Sequence, residues 1–321
     1  MRRSIAVMLV AASLFGVGSP ASGEPSGRTG GRGGERYVAL GDSAAAGPII
    51  LPQQGGPRVC LRSARNFPTL AAAGLGVGSF KDVTCSSAVI ANLWSAQSGA
   101  PPQLDALEKS TTLVTLGPIG ANDAGLFDVA LRCLVPGCAQ RDGRTVHRRI
   151  EATRPKLRAA LRAIRTRAPR AAVVVVGYGR YLPASACPLA LPFTRRDGNY
   201  VQGLVDHMSR VLRQTARSHG ATFADLRATP GALKHTVCAA PGRRWFEGLV
   251  PLGLDGAVPL HPTAIGMEAF SATVRDAVER ARAKRADFRG DQASSTRSRI
   301  TAVSPMSRPS ERRTAFFTGS A

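Results

Sequence analysis

Short apolar runs alternate with longer stretches of helical periodicity along the middle of the chain. The runs predict strands at residues 37–40, 82–84, 113–116, 172–176 and 222–224. The longer stretches predict helices near residues 66–74, 102–109, 155–168, 200–219 and 263–282. Residues 171–176 (AAVVVV) are apolar on both strand faces, as in the centre of a parallel sheet. Because each parallel strand needs a crossover before the next, this alternation predicts a three-layer α/β/α sandwich with a mostly parallel, five-stranded sheet.

The two ends of the chain lack this periodicity. Residues 1–23 have a basic start, an apolar stretch and then small residues, which is typical of a cleaved signal peptide. Residues 24–35 are rich in glycine and predict a flexible leader, whereas residues 286–321 are rich in Ser, Arg and Thr and predict a disordered basic tail. We therefore expect one folded domain at residues 36–285 of a secreted, extracellular protein.

The net charge of the chain is +22, with 43 Lys and Arg residues against 21 acidic ones. Residues 1–36 contribute +3 and residues 280–321 contribute +7, so part of the basic excess lies outside the predicted domain. Two interpretations stay open, a solubilising cationic surface and a weak attraction to anionic surfaces. Nucleic acid is not an expected partner, because only 5% of residues are aromatic and no nucleic-acid-binding motif is present.

The chain has six cysteines, an even number in a protein that is predicted to leave the reducing cytosol. They are Cys60, Cys85, Cys133, Cys138, Cys187 and Cys238. Three disulfides are the natural interpretation, although the residues alone leave the pairing open. A zinc site is the alternative, but the chain has no CxxC pair and no two histidines at zinc-finger spacing, so we expect no metal.

Ser43 follows the first predicted strand directly, in the stretch Gly41-Asp42-Ser43. A glycine allows a tight turn off the strand, and a serine at a helix start lies beside free N–H groups, which suits a nucleophile. The alternative is an ordinary helix cap, because Asp-Ser before a run of alanines also caps helices. The other common motif of a serine nucleophile, GxSxG, is absent from the sequence.

Asn122 and His261 are the other candidate active-site residues. Asn122 follows the strand at 113–116, so its amide can reach the crevice at the carboxyl ends of the strands and donate to an oxyanion. An Asx turn is the alternative for this residue. His261 precedes Pro262 at the start of the last predicted helix, whose positive end favours a neutral imidazole that can accept a proton. A purely structural histidine is the alternative there.

Three stretches together resemble the GDSL-type or SGNH hydrolases. They are YVALGDSAAAG (37–47), GAND (120–123) and HPTAIGMEAF (261–270), which resemble the first, third and fifth blocks of that family. Five stretches between and beside these blocks resemble, in the same order along the chain, the family's secreted actinobacterial esterase and lipase branch. They are CLRSARNFPTLAA (60–72), DVTCSSA (82–88), PPQLDAL (101–107), VVVVGYGRYLP (173–183) and KHTVCAAPGRRW (234–245). The resemblance covers roughly residues 36–275 and implies the flavodoxin-like SGNH fold.

The resemblance also implies a role for each candidate. Ser43 would be the nucleophile and His261 the general base. The backbone N–H groups of Ser43 and Ser87 and the amide of Asn122 would form the oxyanion hole. Disulfides in that branch are sequential, which would pair Cys60 with Cys85, Cys133 with Cys138 and Cys187 with Cys238. No cofactor is implied.

The sequence departs from the family pattern at three places. Ser87 replaces the glycine of the second block, and it would be strained if that position requires a positive φ. Gly117-Pro118 stands where a plain strand end is expected, so we expect a lost ladder donor and a small bulge. Val258 stands at the position of the family's acid, three residues before the histidine.

The imidazole of His261 therefore needs a partner other than a carboxylate at position 258. Some secreted members of the family use a backbone carbonyl there, which would make a Ser-His dyad rather than a triad. Asp255, six residues before His261, is the competing candidate. We favour the carbonyl.

These observations predict a secreted carboxylic ester hydrolase that acts on lipid or short-chain acyl esters. The expected partner is the ester or lipid substrate, and we expect a monomer. Two alternatives stay open. One is a catalytically weakened SGNH-fold protein that binds a cell-surface polymer or anionic lipid, and the other is a carbohydrate acetyl esterase of the same fold.

Overall fold

Five parallel strands form one sheet in the order β2-β1-β3-β4-β5. The structure is a computed structural model that describes residues 32–185, 187, 191–249 and 256–301. The strands are β1 (Arg32–Leu40), β2 (Val77–Asp82), β3 (Leu113–Leu116), β4 (Ala172–Val176) and β5 (Thr222–Ala224). This order is that of flavodoxin-like sheets, so the predicted fold class is confirmed.

Helices cover both faces of the sheet. Among the described residues they are α1 (Ser43–Ala46), α2 (Phe67–Leu75), α3 (Ala121–Ala124), α4 (Leu126–Arg132), α5 (Cys138–Asp142), α6 (Thr145–Arg167), α7 (Arg195–Ser218) and α8 (Ala264–Thr301). One layer consists of α2 and α8, and the other is built around α6 and α7. The side chains of β3 and β4 are fully buried between these layers, which explains the apolar run at the fourth strand.

The second strand lies earlier than predicted, at Val77–Asp82 instead of 82–84. It is an edge strand whose side chains are partly exposed, so it lacks a continuous apolar run. The carboxylate of Asp82 accepts hydrogen bonds from the backbone N–H and the hydroxyl of Thr84, at 3.0 and 2.7 Å. This turn ends the strand where the sequence predicts its beginning.

Two other predicted elements differ from the structure. The helix predicted at 102–109 is a single turn of 3-10 helix, Gln103–Ala106, which follows two prolines. The bulge expected at Pro118 is not present in β3, because Leu116 pairs in regular register with Leu40 and Val175. Pro118 lies beyond the last paired residue, so the ladder loses no donor there.

The ends of the folded unit also differ from the predicted boundaries. β1 begins at Arg32, inside the predicted leader, and α8 continues to Thr301, inside the predicted tail. Extending a helix that is already packed adds one hydrogen bond per residue without a new nucleation cost, so it needs no apolar period. The predicted signal peptide (1–23), most of the leader (24–35) and residues 302–321 of the tail lie outside the described residues. No helix in the described part of the chain is long and apolar enough to span a membrane.

Candidate active site

Ser43 lies at the carboxyl end of β1, as the first residue of the short helix α1. The carboxylate of Asp42 caps this helix and accepts a hydrogen bond from Ala44 N–H at 2.9 Å. The turn before it requires a glycine, because a Cβ on Gly41 would lie 2.9 Å from the Cβ of Ala45. Asp42 is therefore the helix cap, and Ser43 is presented to the crevice, where the nucleophile is predicted to lie.

Gln103 holds the turn in front of Ser43. Its side-chain oxygen accepts the N–H of Gly41 and its side-chain nitrogen donates to the Gly41 carbonyl, both at 2.9 Å. The residue is only 2% exposed, so no water competes for these bonds. Cys85 N–H donates to the same carbonyl at 3.1 Å. Gln103 lies in one of the stretches used for the resemblance, but the sequence alone assigns it no role.

His261 lies beside Ser43, although 218 residues separate them in the sequence. The distance from His261 Nε2 to Ser43 Oγ is 2.8 Å, and His261 Nδ1 lies 2.8 Å from the carbonyl oxygen of Pro259. A carbonyl can only accept, so Nδ1 carries the proton and the lone pair of Nε2 faces the serine hydroxyl. Burial lowers the pKa of His261, and the bond to Pro259 acts in the opposite direction. The imidazole is therefore neutral and able to accept a proton at neutral pH.

The acceptor for the His261 ring is one residue later than predicted. The carbonyl of Val258 accepts the backbone N–H of His261 at 3.0 Å, and the carbonyl of Pro259 accepts the ring. Leu260 between them has φ 58°, in the left-handed region, and this bend turns the Pro259 carbonyl back toward the imidazole. Asp255, the competing candidate, lies outside the described residues.

The loop that carries His261 is fastened to the segment before it. Glu247 N–H donates to the His261 carbonyl at 2.9 Å, and Leu260 N–H donates to the Glu247 carbonyl at 3.1 Å. Below this pair, Arg244 and Glu247 form an ion pair at 2.5 Å, and both side chains are 1% exposed. Breaking such a buried pair is strongly destabilising, so these bonds keep the histidine at a constant distance from the serine.

The predicted oxyanion donors lie on three loops that contact one another. The amide of Asn122 lines the same cleft as Ser43 and His261, and it donates one hydrogen bond, at 2.9 Å, to the Ala88 carbonyl. An amide carries two donor hydrogens, so one remains. Within the described part of the chain, neither Ser43 N–H nor Ser87 N–H donates to a protein acceptor.

Ser87 has φ 65°, in the left-handed region. The resemblance identified this position as one where the family has glycine, and the backbone here adopts the conformation for which glycine is best suited. Left-handed backbone costs a serine about 1 kcal/mol relative to glycine. The side chain of Ser87 is exposed, so the loop accommodates it without a steric clash in the interior.

Tyr178 joins the loops after β1, β3 and β4, and the sequence alone did not identify it. Its hydroxyl donates to Asp42 Oδ2 at 2.5 Å and accepts the N–H of Ala121 at 2.9 Å. Burial raises the pKa of Asp42 to about 7, whereas the hydrogen bond from Tyr178 lowers it. The tyrosine therefore ties the residue before Ser43 to the residue before Asn122.

An apolar cleft with an inner volume of about 90 Å³ opens beside Ser43 and His261. Leu126, Phe127 and Ala130 from α4 line part of it, and Val201 and Val205 from α7 line another part. The described residues contain no group of three or more His, Cys, Asp or Glu side chains that could hold a metal ion.

Three disulfides are present, between Cys60 and Cys85, between Cys133 and Cys138, and between Cys187 and Cys238. These are the sequential pairs that the resemblance implies. A disulfide in a secreted domain typically contributes about 2–4 kcal/mol to stability. The first of them ends at Cys85, whose N–H holds the Gly41 carbonyl, so it also supports the turn before Ser43.

The model of the GDSL-like lipase/acylhydrolase family matches residues 39–269, which include Ser43, Asn122 and His261. The chain belongs to this family. Its members are ester hydrolases, so the predicted enzyme class, a carboxylic ester hydrolase, is confirmed together with the family.

Relatives of known name agree with this assignment. The chain is 40% identical over 245 residues to Lipase 2 of Streptomyces coelicolor, which covers 72% of this chain and 81% of the relative. It is 30% identical to a phospholipase A1 from Streptomyces albidoflavus and 29% identical to an extracellular lipase from Streptomyces rimosus. Both of these structures superpose with a TM-score of 0.65 and cover 76% of this chain and 99% of their own.

Proposed function

We propose that this protein is a secreted serine esterase or lipase that works through a dyad of Ser43 and His261. The observation that carries the proposal is the pair of 2.8 Å contacts of the imidazole, with Ser43 Oγ on one side and the Pro259 carbonyl on the other. A nucleophile within hydrogen-bond reach of a base, and a base oriented by a third group, is the arrangement that acyl transfer requires.

In the first half of the reaction, Ser43 Oγ attacks the ester carbonyl carbon while its proton moves to His261 Nε2. The carbonyl oxygen becomes an oxyanion, which the N–H groups of Ser43 and Ser87 and the amide of Asn122 would stabilise. The protonated imidazole then gives its proton to the leaving alcohol as the C–O bond breaks. In the second half, water attacks the acyl-serine, His261 again takes and returns a proton, and the acid leaves.

The Pro259 carbonyl takes the place of a triad acid in this mechanism. It keeps the imidazole in the tautomer with its proton on Nδ1, and its partial negative charge stabilises the imidazolium that forms during attack. A neutral dipole does this less strongly than a carboxylate. Burial of the ring compensates in part, because a carbonyl dipole acts more strongly where water is excluded.

The acyl group of the substrate would lie along the apolar cleft. Its lining of leucine, valine, alanine and phenylalanine side chains offers burial for a hydrocarbon chain and few polar partners for a sugar. The relatives' names, lipase and phospholipase A1, agree with a lipid acyl ester. Export is supported by the pattern of residues 1–23, by the three disulfides and by the extracellular relative from Streptomyces rimosus.

Replacement of the nucleophile tests the proposal. Ser43→Ala should lower kcat on a short-chain nitrophenyl ester by about 10⁴-fold or more, because the attacking oxygen is removed. Ser95→Ala, at an exposed serine away from the cleft, is the matched control and should leave the rate unchanged. Asp255→Asn should also leave the rate nearly unchanged if the Pro259 carbonyl orients the ring.

Three outcomes would count against the proposal. A Ser43→Ala protein with more than roughly a tenth of the wild-type rate would exclude Ser43 as nucleophile. If Asp255→Asn lowered kcat by more than about 10³-fold, Asp255 would be the acid of a Ser-His-Asp triad and the proposed dyad would be wrong. A folded wild-type protein that binds vesicles or cell wall but hydrolyses no ester would favour the non-catalytic alternative.

A further inference from the structure

Four large apolar side chains are exposed within nine residues of α4 and the turn that follows it. Phe127 is 39% exposed, Leu131 and Leu134 are each 41% exposed, and Val135 is 63% exposed. Phe127 and Leu131 lie one turn apart on α4, and Leu134 and Val135 follow in the turn directly after it. We call these four residues the α4 stripe. Clustered exposure of this kind marks an interaction surface more often than scattered single residues do.

A disulfide and several hydrogen bonds fix the turn that carries the end of the stripe. The Cys133–Cys138 disulfide closes the turn, and both cysteines are fully buried. The carboxylate of Asp197 accepts the N–H of Gly137 at 2.9 Å and the N–H of Ala139 at 3.2 Å. The Arg141 guanidinium donates to the carbonyl of Val135 at 2.7 Å. The exposed apolar residues thus lie on a turn that hydrogen bonds and a disulfide hold in place, so the fold itself keeps their side chains exposed.

Basic side chains are frequent in the segment that contains the stripe. Residues 126–149 contain five arginines and two aspartates. The arginines are Arg132, Arg141, Arg144, Arg148 and Arg149, and all of them are exposed. The guanidinium of Arg149 lies beside Gly125, at the start of α4. Apolar side chains flanked by arginines match the surface of an anionic lipid layer, where acyl chains lie beneath phosphate groups.

The stripe is continuous with the cleft. Phe127 belongs to both, because it lines the cleft beside Ser43 and is also exposed on the outer side of α4. Leu126 and Ala130 of the same helix face the cleft. A surface that lies against this part of the molecule would therefore be next to the cleft that leads to Ser43.

We propose that the α4 stripe and its arginines dock the enzyme on anionic lipid surfaces and so bring lipid esters to the cleft. The inference rests on the proposed function for its purpose, and it names the substrate class as lipid in an aggregate. A second copy of this chain fits the surface less well, because a two-fold contact through the stripe would bring the same five arginines of both copies together.

Vesicle binding tests the proposal. The full-length protein carrying Ser43→Ala, which leaves the lipid intact, is sedimented with vesicles of equimolar phosphatidylcholine and phosphatidylglycerol. Leu134→Ser/Val135→Ser, at positions that do not line the cleft, should weaken binding by about tenfold or more, because two apolar side chains no longer insert. Leu51→Ser/Leu233→Ser is the matched control, since each of these leucines is 72% exposed elsewhere on the surface.

A second pair of variants separates local from overall charge. Arg144→Gln/Arg148→Gln should weaken vesicle binding by about 30-fold, because each arginine near an anionic surface contributes roughly fivefold. Arg158→Gln/Arg162→Gln removes the same charge from exposed positions of α6 about 21 Å further along the helix, and it should change binding little.

The proposal also predicts which activity is spared. In the protein that retains Ser43, the double variant Leu134→Ser/Val135→Ser should hydrolyse a soluble short-chain ester at the wild-type rate. It should hydrolyse phosphatidylglycerol vesicles more slowly.

Two results would overturn the proposal. One is vesicle binding that is unchanged in Leu134→Ser/Val135→Ser, and the other is an equal loss of binding in the two double arginine variants. If Leu134→Ser/Val135→Ser converted a dimer to a monomer without loss of vesicle binding, the stripe would be a dimer interface with a second copy of this chain and the proposal would also be overturned. Failure of the proposed function would appear separately, as ester hydrolysis that survives Ser43→Ala.

Discussion

The two sides of the cleft are built on different principles. On the polar side, Ser43 and His261 are positioned by hydrogen bonds of defined length, from Gln103 to the turn and from the imidazole to Pro259. On the apolar side, α4 and α7 contribute apolar side chains, which can bind a substrate only through the burial of apolar surface. Chemistry depends on direction and distance, so a small displacement on the polar side costs much of the rate. Burial depends on area, so a change on the apolar side alters preference among substrates.

The difference also appears in exposure. Gln103, Asp42 and Tyr178, which support the polar side, are all at most 4% exposed. Phe127 of α4, on the apolar side, is about ten times more exposed than Tyr178. A buried hydrogen-bond network excludes water from the reacting atoms, whereas a partly exposed apolar wall can be reached by a substrate that is itself poorly soluble.

The largest effect in this comparison is expected at Asn122, on the polar side. Asn122→Ala should lower kcat by about 10²–10³-fold with a smaller change in KM, because an oxyanion donor acts mainly in the transition state. Asn92→Ala, another loop asparagine that caps a neighbouring turn, is the control and should keep nearly the full rate. Steady-state kinetics on a soluble ester measure both. A loss smaller than about tenfold would mean that Asn122 is only an anchor for the Ala88 carbonyl.

A smaller effect, with a different character, is expected on the apolar side. Phe127→Ala should lower kcat/KM for a long-chain ester by about tenfold relative to an acetate ester, because a long chain loses buried contact area and a short one does not. Leu131→Ala, one turn further along α4 and outside the cleft, is the control on the same soluble substrates. Equal losses for both chain lengths would show that Phe127 supports the catalytic residues and does not bind the acyl chain.

The smallest effect concerns the strained serine on the polar side. Ser87→Gly should raise the free energy of unfolding by about 1 kcal/mol, because glycine adopts the left-handed backbone without a Cβ clash. Ser86→Gly, at the preceding residue, should lower it instead, since that residue has no positive φ to relieve. Denaturant unfolding measures both variants. A destabilised Ser87→Gly protein would show that the serine side chain makes a contribution larger than its backbone strain.

The candidate active-site residues could be predicted from motifs, but the residues that hold them in position could not. Ser43, Asn122 and His261 each lie in a short stretch beside a strand or helix, and it was the resemblance of these stretches to the blocks of one family that implied their roles. Gln103 and Tyr178 act through hydrogen bonds to residues as far as 62 and 136 positions away, and no local pattern marks such bonds. Pro259 was missed for another reason. The left-handed turn at Leu260 decides which carbonyl reaches the imidazole, and a leucine gives no indication of that conformation.

By itself, the sequence determined the fold class, the family and the chemical identity of the candidate nucleophile and base. These depend on strand and helix periodicity and on residues adjacent in the chain, which are properties of one segment at a time. The tertiary structure alone decided that the Pro259 carbonyl lies against the His261 ring, that Tyr178 joins the loops after β1, β3 and β4, and that Phe127 of α4 stays exposed beside the cleft. Each of these features is a contact or an exposure between distant segments, and only the packing of the whole domain brings such segments together.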